Sequence, residues 1–266
     1  MTTVTIVLRG GMIHRDSLGN KQSFGATTYN GKHTQWLSFG KGLIHELMWK
    51  NDAPSSKGVI THQEIYQIWI DLPQSQRYME PRIELLGGED ETPTVHDTRK
   101  DIQTTIIAGS YDGTSASVDT ISDLSILRVE TNKSYEIWTY EPPPTHSTII
   151  IYVRTGNTRV AAHCTAYISS PSLSEEDKKK VINITSGKDG ADFLVLAGEP
   201  LKQRVTARGS MVVETPKELE HAYIAYENGV MGVPWSEKLT DDEWRRHLRQ
   251  TQGQRSRSLP KKKIDG

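Results

Sequence analysis

The sequence predicts a mainly β protein, built from two tandem β units, with helices only near its C-terminal end. Apolar residues recur at every second position from the start, as Val4, Ile6 and Leu8 do, which predicts a strand beginning at residue 3. At least five short strands precede residue 75, with turn residues between them. Strands at this spacing are typical of a sandwich or barrel, and they argue against alternating strands and helices.

The first unit is punctuated by glycine and proline. Gly10–Gly11 turns the first strand into "MIHRDS", and "HTQWLSFG" and "GLIHELM" are two further short strands separated by glycines. The strongly β-prone segment 64–72 ends at Pro73. This pattern predicts a first domain over residues 1–95.

Residues 73–101 are rich in Pro, Gly and charge, and we interpret them as a long connection. A second group of strands follows, at 104–109, 124–130, 134–140, 147–156, 159–167 and 192–201. We therefore predict a second β domain over residues 96–235.

Two capping boxes predict helices late in the chain. Thr215-Pro216-Lys217-Glu218 opens one helix with proline at its first position, and Gly229 ends it. Thr240 to Glu243 repeats the signal ahead of Trp244. We expect residues 236–266 to be a helical extension that ends in a disordered basic tail.

Composition excludes several classes of protein. The formal net charge of −1 gives no overall field for DNA or an anionic membrane, so we expect no direct nucleic-acid binding. The single cysteine, Cys164, rules out an internal disulfide framework and a thiolate zinc cluster. No apolar run approaches the roughly 18 residues of a membrane helix, and the N-terminus does not match a signal peptide. We expect an intracellular protein, in the nucleus, the cytoplasm or both.

Several segments, in order along the chain, resemble the pirin family of the cupin superfamily. "GGMIHRDSLGNK" and "TQWLSFGKGLIHELM" resemble its N-terminal cupin, and "YQIWIDLPQSQRYMEPR" resembles the stretch that follows. "FLVLAGEPL" and "MVVETPKELEHAYIAYENGVMG" resemble its C-terminal cupin and closing helix. The resemblance implies a bicupin, with two antiparallel β-barrels of jelly-roll type.

The resemblance also implies an iron site in the first barrel. Pirins hold iron with two histidines of a His-x-His motif and with the histidine and glutamate of a later His-x-Glu motif. Such a set of imidazoles and a carboxylate suits a non-haem iron with open positions.

This chain departs from that ligand set. It contains no His-x-His motif, and His45 matches the family histidine but is followed two positions later by Leu47 instead of glutamate. Glu46 is displaced by one residue, so on a regular strand it points away from His45, unless a bulge re-aims it. His45 and Glu46 are the candidate metal ligands, and Glu46 is the candidate catalytic base. We interpret "GLIHELM" as the remnant of a metal site whose iron binding is weak or lost.

Two explanations for the missing motif stay open. The family's His-x-His lies just before the strand with which this chain begins, so the sequence is either a shortened copy or a diverged relative. In the shortened copy we expect unpaired barrel edges. Leu47 is independent of where the chain starts, which favours divergence as part of the explanation.

Other candidate residues have simpler interpretations. We expect His14 to be a hydrogen-bonded strand histidine, and Cys164, beside His163, to be a buried and unreactive thiol. The tryptophans at 36, 69 and 138 lie on apolar strands and are predicted to be core residues.

Two functions remain, beside the alternative of a non-functional fragment that does not fold well alone. The first is a regulatory, protein-binding role, since animal pirins are nuclear cofactors of transcription that act through protein partners. The second is quercetin 2,3-dioxygenase activity on a flavonol, which requires a redox metal with open positions. The altered ligand set favours the first.

Overall fold

The computed structural model describes residues 1–26, 31–50, 62–169 and 181–258. They form two compact units, one of Met1–Leu85 with Gln203–Gly266 and the other of Leu86–Lys202. Residues 203–235, which form the end of the predicted second domain, pack with the first unit.

Within the described residues, nine strands of the first unit form three sheets. They are β1 (Thr2–Arg9), β2 (Gly11–Asp16), β3 (Lys21–Gly25), β4 (Thr34–Ser38), β5 (His45–Lys50), β6 (Glu64–Ile70) and β7 (Arg82–Leu86), with β18 (Thr206–Arg208) and β19 (Met211–Val213) much later in the chain. One sheet has the order β6-β1-β4-β7, a second has the order β3-β2-β5, and β18 pairs with β19. A short 3-10 helix, Gln74–Gln76, follows β6.

The first unit is buried around β1 and β2. Val4 and Ile6 of β1 have no exposed surface, and Val7 packs with Met12 and Phe24 in an apolar cluster. The alternation that predicted β1 thus corresponds to a strand of which residues 2–7 are buried on both faces.

The second unit consists of the remaining strands. They are β8 (Thr94–Asp97), β9 (Ile102–Ala108), β10 (Ser110–Tyr111), β11 (Thr114–Ser115), β12 (Leu124–Thr131), β13 (Ile137–Tyr140), β14 (Thr148–Gly156), β15 (Thr165–Ser169), β16 (Ile182–Thr185) and β17 (Ala191–Gly198). The main sheet has the order β15-β14-β17-β12-β9-β8, and β13 pairs with β16. The mainly β class is confirmed.

One large apolar cluster forms the core of the second unit. Trp138 is 1% exposed and meets Phe193 edge to face, with ring centroids 5.5 Å apart.

Trp36, in the first unit, is also buried, as predicted. The prediction that Trp69 is a core residue was wrong, because its side chain on β6 is 52% exposed.

Both predicted helices are present in the first unit. Helix α1 spans Pro216–Glu227, and Thr215 and Glu218 form the predicted reciprocal capping box. Helix α2 spans Asp241–Ser258 and continues through Gly253. The predicted disordered tail falls largely on residues 259–266, which lie outside the described residues.

Neither helix of the described ranges has the length and apolarity needed to cross a membrane.

Candidate site in the first unit

Strands β2 and β5 carry the candidate residues on two opposite faces. They pair antiparallel with Asp16 opposite His45, Arg15 opposite Glu46, and His14 opposite Leu47. Because side chains alternate along a strand, His14, Asp16, His45 and Leu47 share one face, while Arg15 and Glu46 share the other. No register shift interrupts this pairing, so no bulge re-aims Glu46 toward His45.

Two glycines shape the approach to β5. Gly40 has φ +51°, and a Cβ there would lie 1.9 Å from the carbonyl oxygen of Met79. Gly42 has φ +99°, and its Cβ would lie 2.8 Å from Sδ of Met231. Both the left-handed backbone and the close neighbours require glycine before His45.

The first face holds a hydrogen-bonded histidine and aspartate. His14 is completely buried, and its Nε2 lies 3.1 Å from Oδ2 of Asp16. The same carboxylate accepts bonds from the backbone N–H groups of Leu18 and Asn20 and from Nδ2 of Asn20. Burial alone would raise the pKa of Asp16, but the bonds from His14 and Asn20 outweigh it and hold the pKa below its usual value. His14 is the hydrogen-bonded strand histidine that the sequence predicts.

His45 lies beside this pair in an aromatic setting. Its ring centroid is 5.6 Å from that of His14 and 5.0 Å from that of Phe39, which it meets edge to face. Burial, followed by the nearby His14, lowers the pKa of His45 from 6.5 to about 4, although Asp16 opposes the shift. The imidazole is therefore neutral at neutral pH. The Nδ1 atoms of His14 and His45 are buried and have no hydrogen-bond partner within the described ranges.

Glu46, on the other face, is held by Arg15. The guanidinium of Arg15, only 1% exposed, forms an ion pair with the Glu46 carboxylate. It also donates from Nη1 to the carbonyl oxygen of Leu239 (3.1 Å) and to Oδ1 of Asp241 (3.3 Å). Its carbon Cζ lies 5.4 Å from the ring centroid of Trp244 in α2. Arg15 thus joins β5 to the start of α2.

The two candidate metal ligands are not brought together. His45 lies on the first face of β5 and Glu46 on the opposite face, because adjacent side chains of a regular strand point in opposite directions. Leu47, which shares a face with His45, has no donor atom. Over the described ranges, no group of three or more His, Cys, Asp and Glu side chains is placed to hold a metal ion.

The residues present do not fit the family's four-ligand iron site. The two free Nδ1 atoms are suitable donors, but the Asp16 carboxylate is occupied by His14, Leu18 and Asn20. The chain thus retains imidazoles at this place without the carboxylate expected beside them.

The predicted environment of Cys164 needs correction. The thiol is exposed, not buried, because the residue precedes β15 in a turn instead of lying within the strand. Nδ1 of the neighbouring His163 lies 3.4 Å from the hydroxyl oxygen of Tyr152.

Sequence reasoning missed the cluster that Arg15 forms with Glu46 and Trp244. The sequence signal is the opposite charge of Arg15 and Glu46 on two different strands, and it becomes informative only when the register places Arg15 opposite Glu46.

Comparison with known proteins gives consistent results along the chain. The Pirin family model matches residues 1–70, and the model of the pirin C-terminal cupin domain matches residues 130–232. Pirin-like protein At1g50590 of Arabidopsis thaliana is 26% identical over 240 residues, which cover 85% of this chain and 70% of that protein. A candidate quercetin 2,3-dioxygenase of Pseudomonas aeruginosa, PA3240, is 27% identical over 241 residues, covering 87% of this chain and 77% of that protein.

A solved structure shares the fold. The crystal structure of quercetin 2,3-dioxygenase from Acinetobacter baumannii superimposes with a TM-score of 0.72 at 23% identity, over 87% of this chain and 76% of that one. Together with the two domain models, it identifies the fold as a bicupin.

Proposed function

Because this chain belongs to the pirin family, we propose that it acts as a regulatory, protein-binding bicupin with a degenerate iron site. The observation that carries this proposal is the position of the one nearby glutamate. Glu46 is paired with Arg15 on the far face of β5, and Leu47 occupies the place beside His45.

The chemistry of the first face supports the proposal. A non-haem iron that activates dioxygen needs several imidazole and carboxylate ligands and open positions. His14 and His45 each offer one imidazole nitrogen that has no hydrogen-bond partner within the described ranges, and Leu47 adds no donor. Two imidazoles bind a divalent metal weakly, and any catalysis that requires a firmly held metal is correspondingly disfavoured.

The cellular part of the proposal rests on the family and on the tail. We place the protein in the nucleus, the cytoplasm or both, with partners in transcription, because the resemblance to animal pirins implies such partners. The basic stretch at 255–263 is a candidate nuclear localisation signal. A fluorescent fusion should lose nuclear signal when the Arg and Lys residues of 255–263 are replaced by Ala. Unchanged distribution would remove this part of the proposal.

The alternative is a quercetin 2,3-dioxygenase. The relative PA3240 is a candidate for that activity. The Nδ1 atoms of His14 and His45, which have no partner among the described residues, are of the type that binds iron or another transition metal. For Glu46 to serve as the catalytic base, it would have to leave Arg15 and turn to the opposite face of its strand. The flavonol would then be the substrate.

The metal content of the protein distinguishes the regulatory function from the dioxygenase. We would measure iron by mass spectrometry in the purified chain, in Leu47→Glu and in Leu47→Gln after loading with Fe(II) under nitrogen. Glutamate adds a carboxylate beside His45, whereas glutamine has the same length without the charge. We expect far less than one iron per chain in the parent and Leu47→Gln, and a clear gain in Leu47→Glu.

Quercetin consumption completes the test. Stoichiometric iron in the parent chain together with turnover of quercetin would overturn the regulatory proposal and establish the enzyme. Weak metal binding without turnover supports the regulatory role. No gain in Leu47→Glu would show that the pocket no longer accommodates a metal at all.

A further inference from the structure

Strand β6 lies at one edge of a sheet in the first unit. It pairs antiparallel with β1, and no other strand of the described residues pairs with it. The outer edge of such a strand presents backbone N–H and C=O groups that can pair with a strand of another chain. β6 is therefore a candidate surface for the addition of a strand.

The hydrogen bonds between β1 and β4 show how β1 is oriented in this sheet. The N–H of Val7 donates to the carbonyl oxygen of His33 at 2.9 Å. The N–H of Phe39 donates to the carbonyl oxygen of Met1, also at 2.9 Å. Because hydrogen-bonding groups alternate along an antiparallel strand, the odd-numbered residues of β1 face β4 and its even-numbered residues face β6.

This alternation identifies the backbone groups on the outer edge of β6. The even-numbered residues of β1 lie opposite even-numbered residues of β6. The even-numbered residues of β6 therefore direct their N–H and C=O groups toward β1. The odd-numbered residues Ile65, Gln67 and Trp69 direct theirs toward the outer edge.

The outer edge of β6 lacks the features that usually protect an edge strand, which are charge, proline or a bulge. Residues 65–70 include no charged residue, proline or glycine. None of them is buried, and Trp69 is 52% exposed. By contrast β7, at the other end of the same sheet, contains Arg82 and Glu84, which form an ion pair. We therefore expect β6 to be covered by a partner.

The residue types of β6 are symmetric about Gln67, and this symmetry favours a second copy of the chain as the partner. If two copies of β6 pair antiparallel about a two-fold axis at Gln67, Ile65 lies opposite Trp69 of the second copy. Tyr66 then lies opposite Ile68 of the second copy. Each pair joins two apolar or aromatic side chains, and the outward backbone groups exchange about six hydrogen bonds. A strand adapted to a peptide of another protein needs no such symmetry.

The charges at the two ends of β6 are compatible with this pairing. Nε of Arg9 lies 3.7 Å from a carboxylate oxygen of Glu64. Nη2 of Arg77 donates to Oδ2 of Asp71 at 2.8 Å. At the axis, the side-chain amide of Gln67 can both donate to and accept from the same amide of the second copy. The pairing therefore brings no uncompensated like charges together.

We propose that this chain forms a homodimer in which β6 pairs antiparallel with β6 of a second copy. The two four-stranded sheets then join into one sheet of eight strands, four from each copy. No residue of β6 belongs to the site of His14 and His45, so the dimer stands or fails separately from the proposed function.

Sedimentation velocity of the full chain, from low to high micromolar concentration, tests the proposal. We expect a reversible shift from a particle of 29.9 kDa to one of twice that mass. The Kd should be micromolar, because a single strand pair buries less than the roughly 1,600 Å² of a standard interface. A chain that stays monomeric throughout overturns the proposal and would leave this edge for a strand of a different protein.

Gln67→Lys is the blocking variant. Gln67 is exposed, so the substitution leaves the fold intact, but it places two lysines directly opposite each other at the axis. We expect at least about tenfold weaker dimerisation. Gln250→Lys adds the same charge at an exposed position of α2 and should dimerise as the parent does.

Gln67→Pro blocks the pairing without adding charge. It removes an N–H that points away from β1, and proline is accepted on an edge strand at such a position. We expect weaker dimerisation with an unchanged circular dichroism spectrum. The proposal is overturned if Gln67→Lys and Gln67→Pro both dimerise as strongly as Gln250→Lys.

Hydrogen exchange of single backbone amides, followed by NMR, locates the interface. The amides of Ile65, Gln67 and Trp69 should exchange quickly at low protein concentration and slowly at high concentration. The amides of Ile68 and Ile70, which bond to β1, should exchange slowly at both. A dimer in which the three outer amides exchange equally fast at both concentrations would use another surface and would contradict the proposal.

Discussion

The interiors of the two units differ in what they bury. In the second unit, strands contribute one apolar cluster centred on Trp138, Phe193 and their aliphatic neighbours. In the first unit, β2 and β5 bury His14, Asp16 and Arg15 among apolar residues. Buried polar groups cost free energy unless they are paired, so they persist where pairing or function compensates. The second unit also buries charged groups, since Arg154 and Asp192 pair there at 2.7 Å. The first unit instead buries a histidine and an aspartate of one strand close to a second histidine, where the resemblance to the family implies a metal site.

The substitution Trp138→Ala in the second unit should cause the largest loss of stability. Truncation leaves a large cavity and should lower the free energy of unfolding by about 3–5 kcal/mol, measured by urea denaturation. Tyr167→Ala, at a 65% exposed position, should change it by less than about 0.5 kcal/mol. Equal effects of the two substitutions would show that the aromatic cluster does not organise this unit.

Arg15→Met in the first unit should have the next largest effect. It leaves Glu46 and Asp241 without their guanidinium, removes the stacking on Trp244, and should cost about 2–3 kcal/mol. Hydrogen exchange followed by mass spectrometry should show faster exchange in α2.

Glu46→Gln is the matched control for that variant. The amide still accepts a hydrogen bond from Arg15, so we expect a loss of about 1 kcal/mol and little change in α2. A larger loss in Glu46→Gln than in Arg15→Met would contradict the assignment of Arg15 as the centre of the cluster.

His45 should also make the stability of the metal-free chain depend on pH. The folded-state pKa of His45 is about 4 and its ordinary value is 6.5, so the unfolded chain binds more protons between these two values. The contribution of the neutral His45 to the free energy of unfolding is fully present above pH 6.5 and is lost as the pH falls toward 4. Because His45 is partly exposed, we expect a loss of about 1–3 kcal/mol.

His45→Leu should flatten the stability curve over that range, as followed by urea denaturation at successive pH values. His221→Leu, at an exposed position of α1, should leave it unchanged. Asp16, whose pKa is held below its usual value, adds a further loss at lower pH in both variants. A parent curve that is flat between pH 6.5 and 4 would show that His45 titrates normally.

Local patterns predicted much of the fold. Alternation located β1, the two capping boxes located the starts of α1 and α2, and glycines marked the turns around β5. These signals depend on residues within a few positions of one another. The substitution of Leu47 for a carboxylate was equally visible, because it is a matter of residue identity.

The burial of individual side chains, which depends on residues distant in the chain, could not be predicted from the sequence. Nothing local distinguishes the buried Trp138 from the exposed Trp69, since both lie in apolar strands. The predicted strand began at residue 159, whereas β15 begins at Thr165, so Cys164 lies outside the strand and its thiol is exposed.

Strand alternation alone determined that Glu46 and His45 point in opposite directions on a regular strand. Only the tertiary structure decided what Glu46 meets there. Arg15 lies 31 positions away along the chain, and Arg15 in turn lies 226 positions from Asp241. Such partners depend on strand register and on where a distant helix docks, and a shift of one residue in register would exchange the two faces.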